Sequence, residues 1–398
     1  MAMNRRVVIG FADALAAIES AWCLMDDGFE VHAFARRGTR PALARSGAVS
    51  IVDITAPEED AEKSAADLAV ALRGIGPAAV VPLDDHAVWL CDRITREPST
   101  GITGEATSGG YVWPVVAGPV GDLASLALDK RQQLSCAEVA GFAVPASRDA
   151  ASEPPQGTGP WMVKPAMAVQ LRGGRLVRPV GRVATSPAQV RSVAAAIGGP
   201  AVVQPLIDGI GEGVFGFATQ DDVVALSAHR RIRMMNPRGS GSSACRSIPL
   251  ADELIDPVRR FMAKSAWRGL FMIELLRDRD GTPWFMELNG RAWGSMVLAR
   301  SRGFAYPAWA VRAAVDPGYV PAAPADAPHV TARHLGREIV HLGAVMTRGG
   351  APRLATARDV LTVRRDERWY NWRSGQAGVF AADTWATMRS QLRRGRSP

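Results

Sequence analysis

Only four cysteines occur in the 398 residues, Cys23, Cys91, Cys136 and Cys245. Their scattered spacing matches neither a disulfide framework nor a metal motif, so reduced structural thiols and a cytoplasmic setting are expected. No apolar run reaches membrane-spanning length, and no membrane association is expected. Arg5 and Arg6 precede an apolar run that reads as a first strand and helix, not as a secretory leader. The turn after that strand, Gly10-Phe11-Ala12-Asp13, lacks G-x-G-x-x-G, which argues against dinucleotide binding there. Zinc-finger, RRM and helix-turn-helix signatures are also missing. The formal net charge of +8 comes from dispersed arginines and one terminal run, Arg393-Arg394-Gly395-Arg396, so nucleic acid is not an expected partner. A basic cleft for an anionic small molecule uses such charge equally well.

What is present is a loop-rich globular composition, 47% hydrophobic and 22% charged with 39 glycines and 27 prolines, long enough for two or three domains. Residues 1–115 alternate strand and helix patterns. Strands are expected over Arg5–Gly10, Gly28–Phe34, Val49–Ile54 and Ala78–Leu83, with helices over Ala14–Met25 and around Ala61–Leu72, which gives an open parallel sheet. Asp84 and Asp85 follow the last strand, where they either orient a substrate amine or cap the next helix; capping is the simpler role. His86 reads as a packed or capped helix residue. Pro98 to Pro119, rich in Gly, Thr, Ser and Pro, reads as a connection between domains.

A helix opens at Leu128-Asp129-Lys130 and ends at Gly141. Lys130 sits at the helix end where a cation is least comfortable, a hint that its amine serves a ligand. Trp161-Met162-Val163-Lys164-Pro165 closes a short apolar strand with a lysine, and a lysine on a buried strand wants an anion. Ser186–Ile197 reads as a helix and Val202–Ile207 as a strand. Within Phe271–Ala299, two strands flank Asp280-Gly281 as a hairpin. That hairpin brings Glu274 beside Glu287, with Asn289 on the face of Glu287. Two carboxylates and an amide oxygen suit Mg²⁺ that takes phosphate oxygens as further ligands. Plain alternation puts Arg231 and Arg233 on one side of their strand, suited to carboxylate or phosphate recognition.

Taken in order, Asp129-Lys130, Gly141-Phe142-Ala143-Val144-Pro145, Val163-Lys164-Pro165, Val203-Gln204-Pro205-Leu206-Ile207-Asp208-Gly209 and the hairpin resemble the ATP-grasp superfamily, in its carboxylate–amine ligase branch related to carbamoyl-phosphate synthase. The resemblance implies an α/β ATP-grasp fold with an N-terminal Rossmann-like pre-ATP-grasp domain (1–115), an ATP-grasp domain (116–318, lid about 145–205) and a small C-terminal accessory region (325–398). It implies ATP and Mg²⁺ as cofactors. By position, Lys130 and Lys164 match the phosphate lysines, and Gln204, Pro205, Leu206 and Ile207 the hinge against adenine. Glu212 matches the ribose acid, with Asp208 as the alternative. Glu274, Glu287 and Asn289 match the metal ligands, and Arg291 an arginine near the transferred phosphate. Arg231 and Arg233 fall on the substrate side, so that Arg291, Lys164, Arg231 and Arg233 are the implied catalytic residues, and Trp293 either walls the pocket or belongs to the core. Two departures stand out. Ala166-Met167-Ala168-Val169-Gln170 replaces the small glycine- or serine-rich lid turn, whose glycines come only at Gly173 and Gly174, and Gly290 replaces a proline.

The activity implied is an ATP-dependent ligase that joins a small-molecule carboxylate to an amine through an acyl phosphate, in a chain that leaves room for a homodimer. A bicarbonate-activating carboxylase-like enzyme and an ATP-binding regulatory protein with a weakened site are the alternatives. Asp84, Asp85 and His229 are the candidates for a general base. In the accessory region, helices are expected over His334–Thr347 and Thr384–Arg393 and a strand over Val360–Arg364. Trp369, Trp372, Trp385 and Phe380 are the expected local core.

Overall fold

The computed structural model describes residues 4–96, 113–151, 155, 158–236 and 241–394. The expected connection around Pro98 lies largely outside them, as does part of the Asn236–Ser243 loop. Near the N-terminus, β1 (Arg6–Gly10), β2 (Glu30–Arg36), β3 (Ser50–Ile54), β4 (Ala79–Pro82) and β5 (Val115–Val116) form one parallel sheet in the order β3-β2-β1-β4-β5. Three helices connect its strands, α1 (Ala17–Asp26), α2 (Ala61–Ile75) and α3 (Asp85–Arg96). Asp60 caps α2 by accepting from the Lys63 amide, and Gly76 ends it in the left-handed conformation. The topological switch lies between β1 and β4, so the carboxyl ends of these strands, with Asp84 and Asp85 just beyond, face the ligand side.

Two short helices follow, α4 (Asp122–Leu128) and α5 (Lys130–Ala140), and Asp129 caps the second by accepting from the Arg131 amide at 2.9 Å. Next comes a small antiparallel sheet of β6 (Arg148–Asp149), β7 (Trp161–Pro165), β10 (Arg182–Ala184) and β11 (Ala201–Pro205), ordered β10-β7-β11-β6. Helix α6 (Pro187–Ile197) covers it, with Trp161, Val163, Val190 and Val203 in the shared core. Between β7 and β10 a separate ribbon projects, β8 (Gln170–Arg172) and β9 (Arg175–Val177), turning at Gly173-Gly174 where both φ angles are positive.

The central sheet has seven strands in the order β16-β15-β12-β13-β14-β17-β18. They are β12 (Gly209–Ala218), β13 (Val223–Met234), β14 (Ser242–Ile248), β15 (Gly269–Asp278), β16 (Pro283–Asn289), β17 (Thr331–Arg333) and β18 (Glu367–Trp369). One face packs Val214, Ile273, Leu275 and Phe285 against α5 and α7 (Asp252–Lys264). The opposite face packs Phe215, Phe217 and Met272 with α8 (Met296–Ser301), α9 (Tyr306–Val315) and the N-terminal domain. Trp293 lies in that core, stacked on Phe215 at 4.5 Å, and does not wall a pocket.

The C-terminal stretch contributes β17 and β18 to the central sheet, together with α10 (Leu335–Arg348), α11 (Arg353–Leu361) and α12 (Ala377–Arg394). Two local expectations fail there. Val360 and Leu361 end α11 and do not start a strand, because Val360 packs inward at helical spacing from Thr356. The aromatic core also differs: Trp372 and Trp385 are exposed, and buried Tyr370 takes the interior place beside Cys245. No helix among the described residues is long and apolar enough to cross a membrane.

Candidate active site

The β15–β16 hairpin is held by its turn. Asp278 accepts from the Asp280 and Thr282 amides at 3.0 and 2.9 Å and from the Trp284 indole at 2.7 Å, while Gly281 takes the positive φ the turn needs. The resulting register places Glu274 directly opposite Glu287, and Met272 opposite Asn289. A bulge after Glu274 leaves Leu275 opposite Phe285 and Met286 as the extra residue.

Lysines from two other elements converge on this edge. The Lys130 Nζ reaches Glu287 Oε2 at 2.6 Å, and its backbone N–H donates to the Ala166 carbonyl at 2.8 Å, which ties α5 to the small sheet. Among the described residues, the hydrogen-bond partner of the Lys164 amine on β7 is the Met286 sulfur, at 4.0 Å. Arg291 donates to Asp85 at 3.0 Å, and Arg178, just past the ribbon, reaches the other oxygen of Asp85 at 3.1 Å. Arg231 forms an ion pair with Glu274. Asp85, Lys130, Lys164, Arg178, Glu287 and Asn289 all line one cavity of about 420 Å³.

The charges of this cavity are tightly linked. Lys130 holds the Glu287 carboxyl far below its ordinary range, and Lys164 and Arg291 add to the effect. Burial alone would lower the Lys130 pKa, but Glu287 outweighs it and the amine is raised. Burial lowers Lys164, and its neighbour Lys130 lowers it further. Asp85 would be raised by burial, yet Arg291 and Arg178 bring it below the ordinary value. Five cations (Lys130, Lys164, Arg178, Arg231 and Arg291) face three carboxylates (Asp85, Glu274 and Glu287). Arg178 is more than half exposed, but the sheltered cations still outnumber the carboxylates, and a partly buried excess of positive charge calls for an anion.

Glu274 and Glu287 fit a divalent cation as neighbouring hard-oxygen donors. Asn289 lies one register step along the same strand, its amide 3.9 Å from the Met272 sulfur. The protein offers few oxygens here, which suits Mg²⁺ completed by water and phosphate. No group of three or more His, Cys, Asp or Glu placed to hold a metal ion is present among the described residues.

Several expected site residues lie elsewhere. Glu212 is turned toward the α7 side of the sheet, where Arg230 and Arg277 hold its two oxygens at 2.8 and 2.9 Å. Its neighbours in β12 are Gly211 and Gly213, and strand alternation sends its side chain away from the lysines. Asp208 is exposed and pairs with Arg279. Arg233 does not share the surroundings of Arg231, because a bulge between them breaks the alternation and Arg233 pairs with Glu338 of α10. Gln204 donates to Ser147 at 2.8 Å, and the Leu206 amide donates to the Pro160 carbonyl at 3.1 Å. Pro205, Leu206 and Ile207 span the crossing from the small sheet to β12. Of the base candidates, Asp84 caps α3 through the Ala87 amide and pairs with Arg36. His229 is buried against Phe215 with Nδ1 on Ser295, and burial pushes it down to about 3, too low for a base near neutrality.

The ribbon accounts for the unusual lid sequence. The Ala168 amide donates to the Leu128 carbonyl at 2.8 Å, and Val169 is buried with Val88, Ala124 and Leu128. At the tip, the Gly174 carbonyl accepts from the Ala61 amide and the Leu176 amide donates to the Pro57 carbonyl, both at 2.7 Å. The glycine turn is therefore displaced onto the N-terminal domain, and the segment returns past the cavity through Arg178. Sequence reading missed Arg178 and gave Asp85 a capping role, since neither carries a local signal of the other.

The chain matches no known protein family and no curated protein sequence. Its fold is nevertheless shared with solved structures. An L-amino acid ligase from Bacillus licheniformis superposes with a TM-score of 0.55 at 17% identity, covering 79% of this chain and 75% of the other. An N5-carboxyaminoimidazole synthetase from Staphylococcus aureus, complexed with ADP, gives 0.59 at 10% identity over 82% and 81%. A biotin carboxylase from Campylobacter jejuni, in an ATP-type complex, gives 0.58 at 15% identity over 80% and 72%. The shared fold is the ATP-grasp fold, a parallel N-terminal sheet followed by a four-stranded antiparallel sheet and a seven-stranded sheet that is antiparallel except at its β17–β18 edge.

Proposed function

We propose that the chain is an ATP-dependent carboxylate–amine ligase working through an acyl phosphate. The observation that carries this reading is the cavity lined by Lys130, Lys164 and Glu287, with Glu274 directly opposite Glu287 in the hairpin. A triphosphate keeps net negative charge even with one divalent cation bound, and it would meet both the cation excess and the paired acids. Glu274, Glu287 and Asn289 would hold Mg²⁺, which supplies charge neutralisation at the transferred phosphoryl group.

On this reading Lys130 moves from Glu287 to phosphate oxygens, leaving the carboxylate free for the cation. Lys164, already without a carboxylate partner, acts as a phosphate point charge. Arg291, held by Asp85, would supply a further cation for the transferred group. Gln204 to Ile207 form the crossover against which the base would lie. The substrate carboxylate attacks the γ-phosphorus, the bond to the bridging oxygen breaks and ADP leaves. The amine then attacks the acyl carbon, loses a proton and expels phosphate. Positioning and electrostatics supply most of the acceleration. Arg231, beside Glu274, lies where it can steer the incoming carboxylate.

The test is ADP and phosphate release with ATP, Mg²⁺ and a matrix of carboxylate and amine pairs, with products identified by mass spectrometry. A new amide formed in step with ADP supports the ligase. ADP release that depends on bicarbonate alone would transfer the reading to carboxylase-type activation, and nucleotide binding without turnover across the matrix would count against catalysis.

A further inference from the structure

Arginine is spread along the whole chain, yet its excess over acids is concentrated at one end. Residues 348–398 hold eleven arginines, no lysine and four acids, which amounts to seven of the eight formal net charges. Large apolar side chains in the same stretch stand in solvent: Leu354 is 87% exposed, Leu361 74% and Trp385 60%. Leu354, Arg358 and Leu361 recur at helical spacing on the outer side of α11, whose inner side buries Thr356 and Val360. Helix α10 packs against both α11 and α12, and its Ile339 and Met346, seven residues apart, are exposed as well. Arg353, Arg358, Arg365 and Arg389 are exposed and form no ion pair among the described residues. This cluster lies on helices that do not line the candidate active site.

We propose that this helical face docks an acidic protein, through an amphipathic helix with carboxylates flanking an apolar row. An exposed apolar row such as Leu354 and Leu361 on α11 marks an interaction surface, and those arginines that lie on the same helix, Arg353 and Arg358, select an acidic counterpart and steer its approach. Nucleic acid fits less well. Leucine contributes nothing to phosphate recognition, so the apolar row would go unused against a nucleic acid. An anionic bilayer would engage a longer continuous apolar face than α11, which has nine residues, provides.

Fluorescence anisotropy with the full chain tests the proposal, using a labelled leucine–glutamate amphipathic helical peptide as the probe. Binding should be saturable and at least about tenfold tighter than for a scrambled peptide of equal charge. Both Leu354→Ser with Leu361→Ser, and Arg353→Glu with Arg358→Glu, should weaken it by about tenfold or more. These positions are exposed, so both double variants should keep the wild-type unfolding transition, and each checks the other. Equal binding of the scrambled peptide, or unchanged binding by either folded variant, would overturn the proposal. Tighter binding of duplex DNA or of phosphatidylglycerol vesicles than of the ordered peptide would also overturn it.

Discussion

The cavity around Glu287 and the cluster around Arg333 both bury charge beside the central sheet, but they are balanced differently. Arg333 is 2% exposed and donates to Glu338, Glu367 and the carbonyls of Val360 and Thr362, while Arg233 adds a second cation to Glu338. Two arginines thus meet two glutamates, with backbone acceptors satisfying most remaining donors. Around Glu287, five cations meet three acids, and Lys164 has no carboxylate of its own. Matched charge of the first kind holds α10, α11 and β18 to the sheet. Surplus charge of the second kind costs stability and has value only when an anion arrives.

The comparison can be broken most forcefully at Glu338. Glu338→Gln leaves Arg333 with Glu367 as its one carboxylate and Arg233 with the longer Asp359 contact at 3.7 Å, and should cost about 3 kcal/mol in denaturant unfolding, while the folded fraction still binds nucleotide. If nucleotide binding vanished with stability intact, the cluster would belong to the site. Glu287→Gln should lower ATP turnover by about a hundredfold or more in the protein that remains folded, and because it takes the carboxylate from Lys130 it should also lower stability in denaturant unfolding. Wild-type turnover in that variant would remove Glu287 from the chemistry.

Lys164→Met sharpens the same contrast through pH. Because the folded protein lowers the lysine pKa, the unfolded chain binds more protons between the depressed value and the ordinary 10.5. The wild type should therefore gain stability as pH rises through that window. The variant should be more stable than the wild type near neutrality, with the difference narrowing at alkaline pH in urea titrations. A difference that does not change with pH would mean the amine is not desolvated. The smallest effect is expected at Glu212. Glu212→Gln should leave the KM for ATP within about threefold, since its carboxylate serves Arg230 and Arg277; a much larger rise would return it to the ribose.

The elements and the paired acids were legible because they follow local periods. Glu287 and Asn289 obey the two-residue strand repeat and the Asp-Gly turn marks the hairpin, while the bulge at Met286 that sets Glu287 opposite Glu274 has no local signal; Asp129 and Gly141 mark the ends of α5. Lys130 and Lys164 carry a further signal, being two of only four lysines among 47 basic residues. Reading failed where geometry departs from the repeat or spans the chain. The bulge between Arg231 and Arg233 separates two arginines that alternation unites. Glu212 stands between two glycines, so nothing local says which face it takes. Asp85 meets Arg291 across 206 residues and Arg178 from a ribbon docked on another domain, contacts that no local pattern encodes. The tryptophans of the C-terminal stretch misled because burial was inferred from residue type, whereas Trp372 and Trp385 point to solvent.

The central claim is that the surplus cations around Glu287 form a triphosphate site. Equilibrium titration with a non-hydrolysable ATP analogue and Mg²⁺, comparing wild type with Lys130→Met and Lys164→Met, tests it most directly. The account predicts saturable wild-type binding that depends on Mg²⁺ and weakens by about tenfold or more in each variant. Absence of binding to the wild type, or equal affinity in all three proteins, would contradict it.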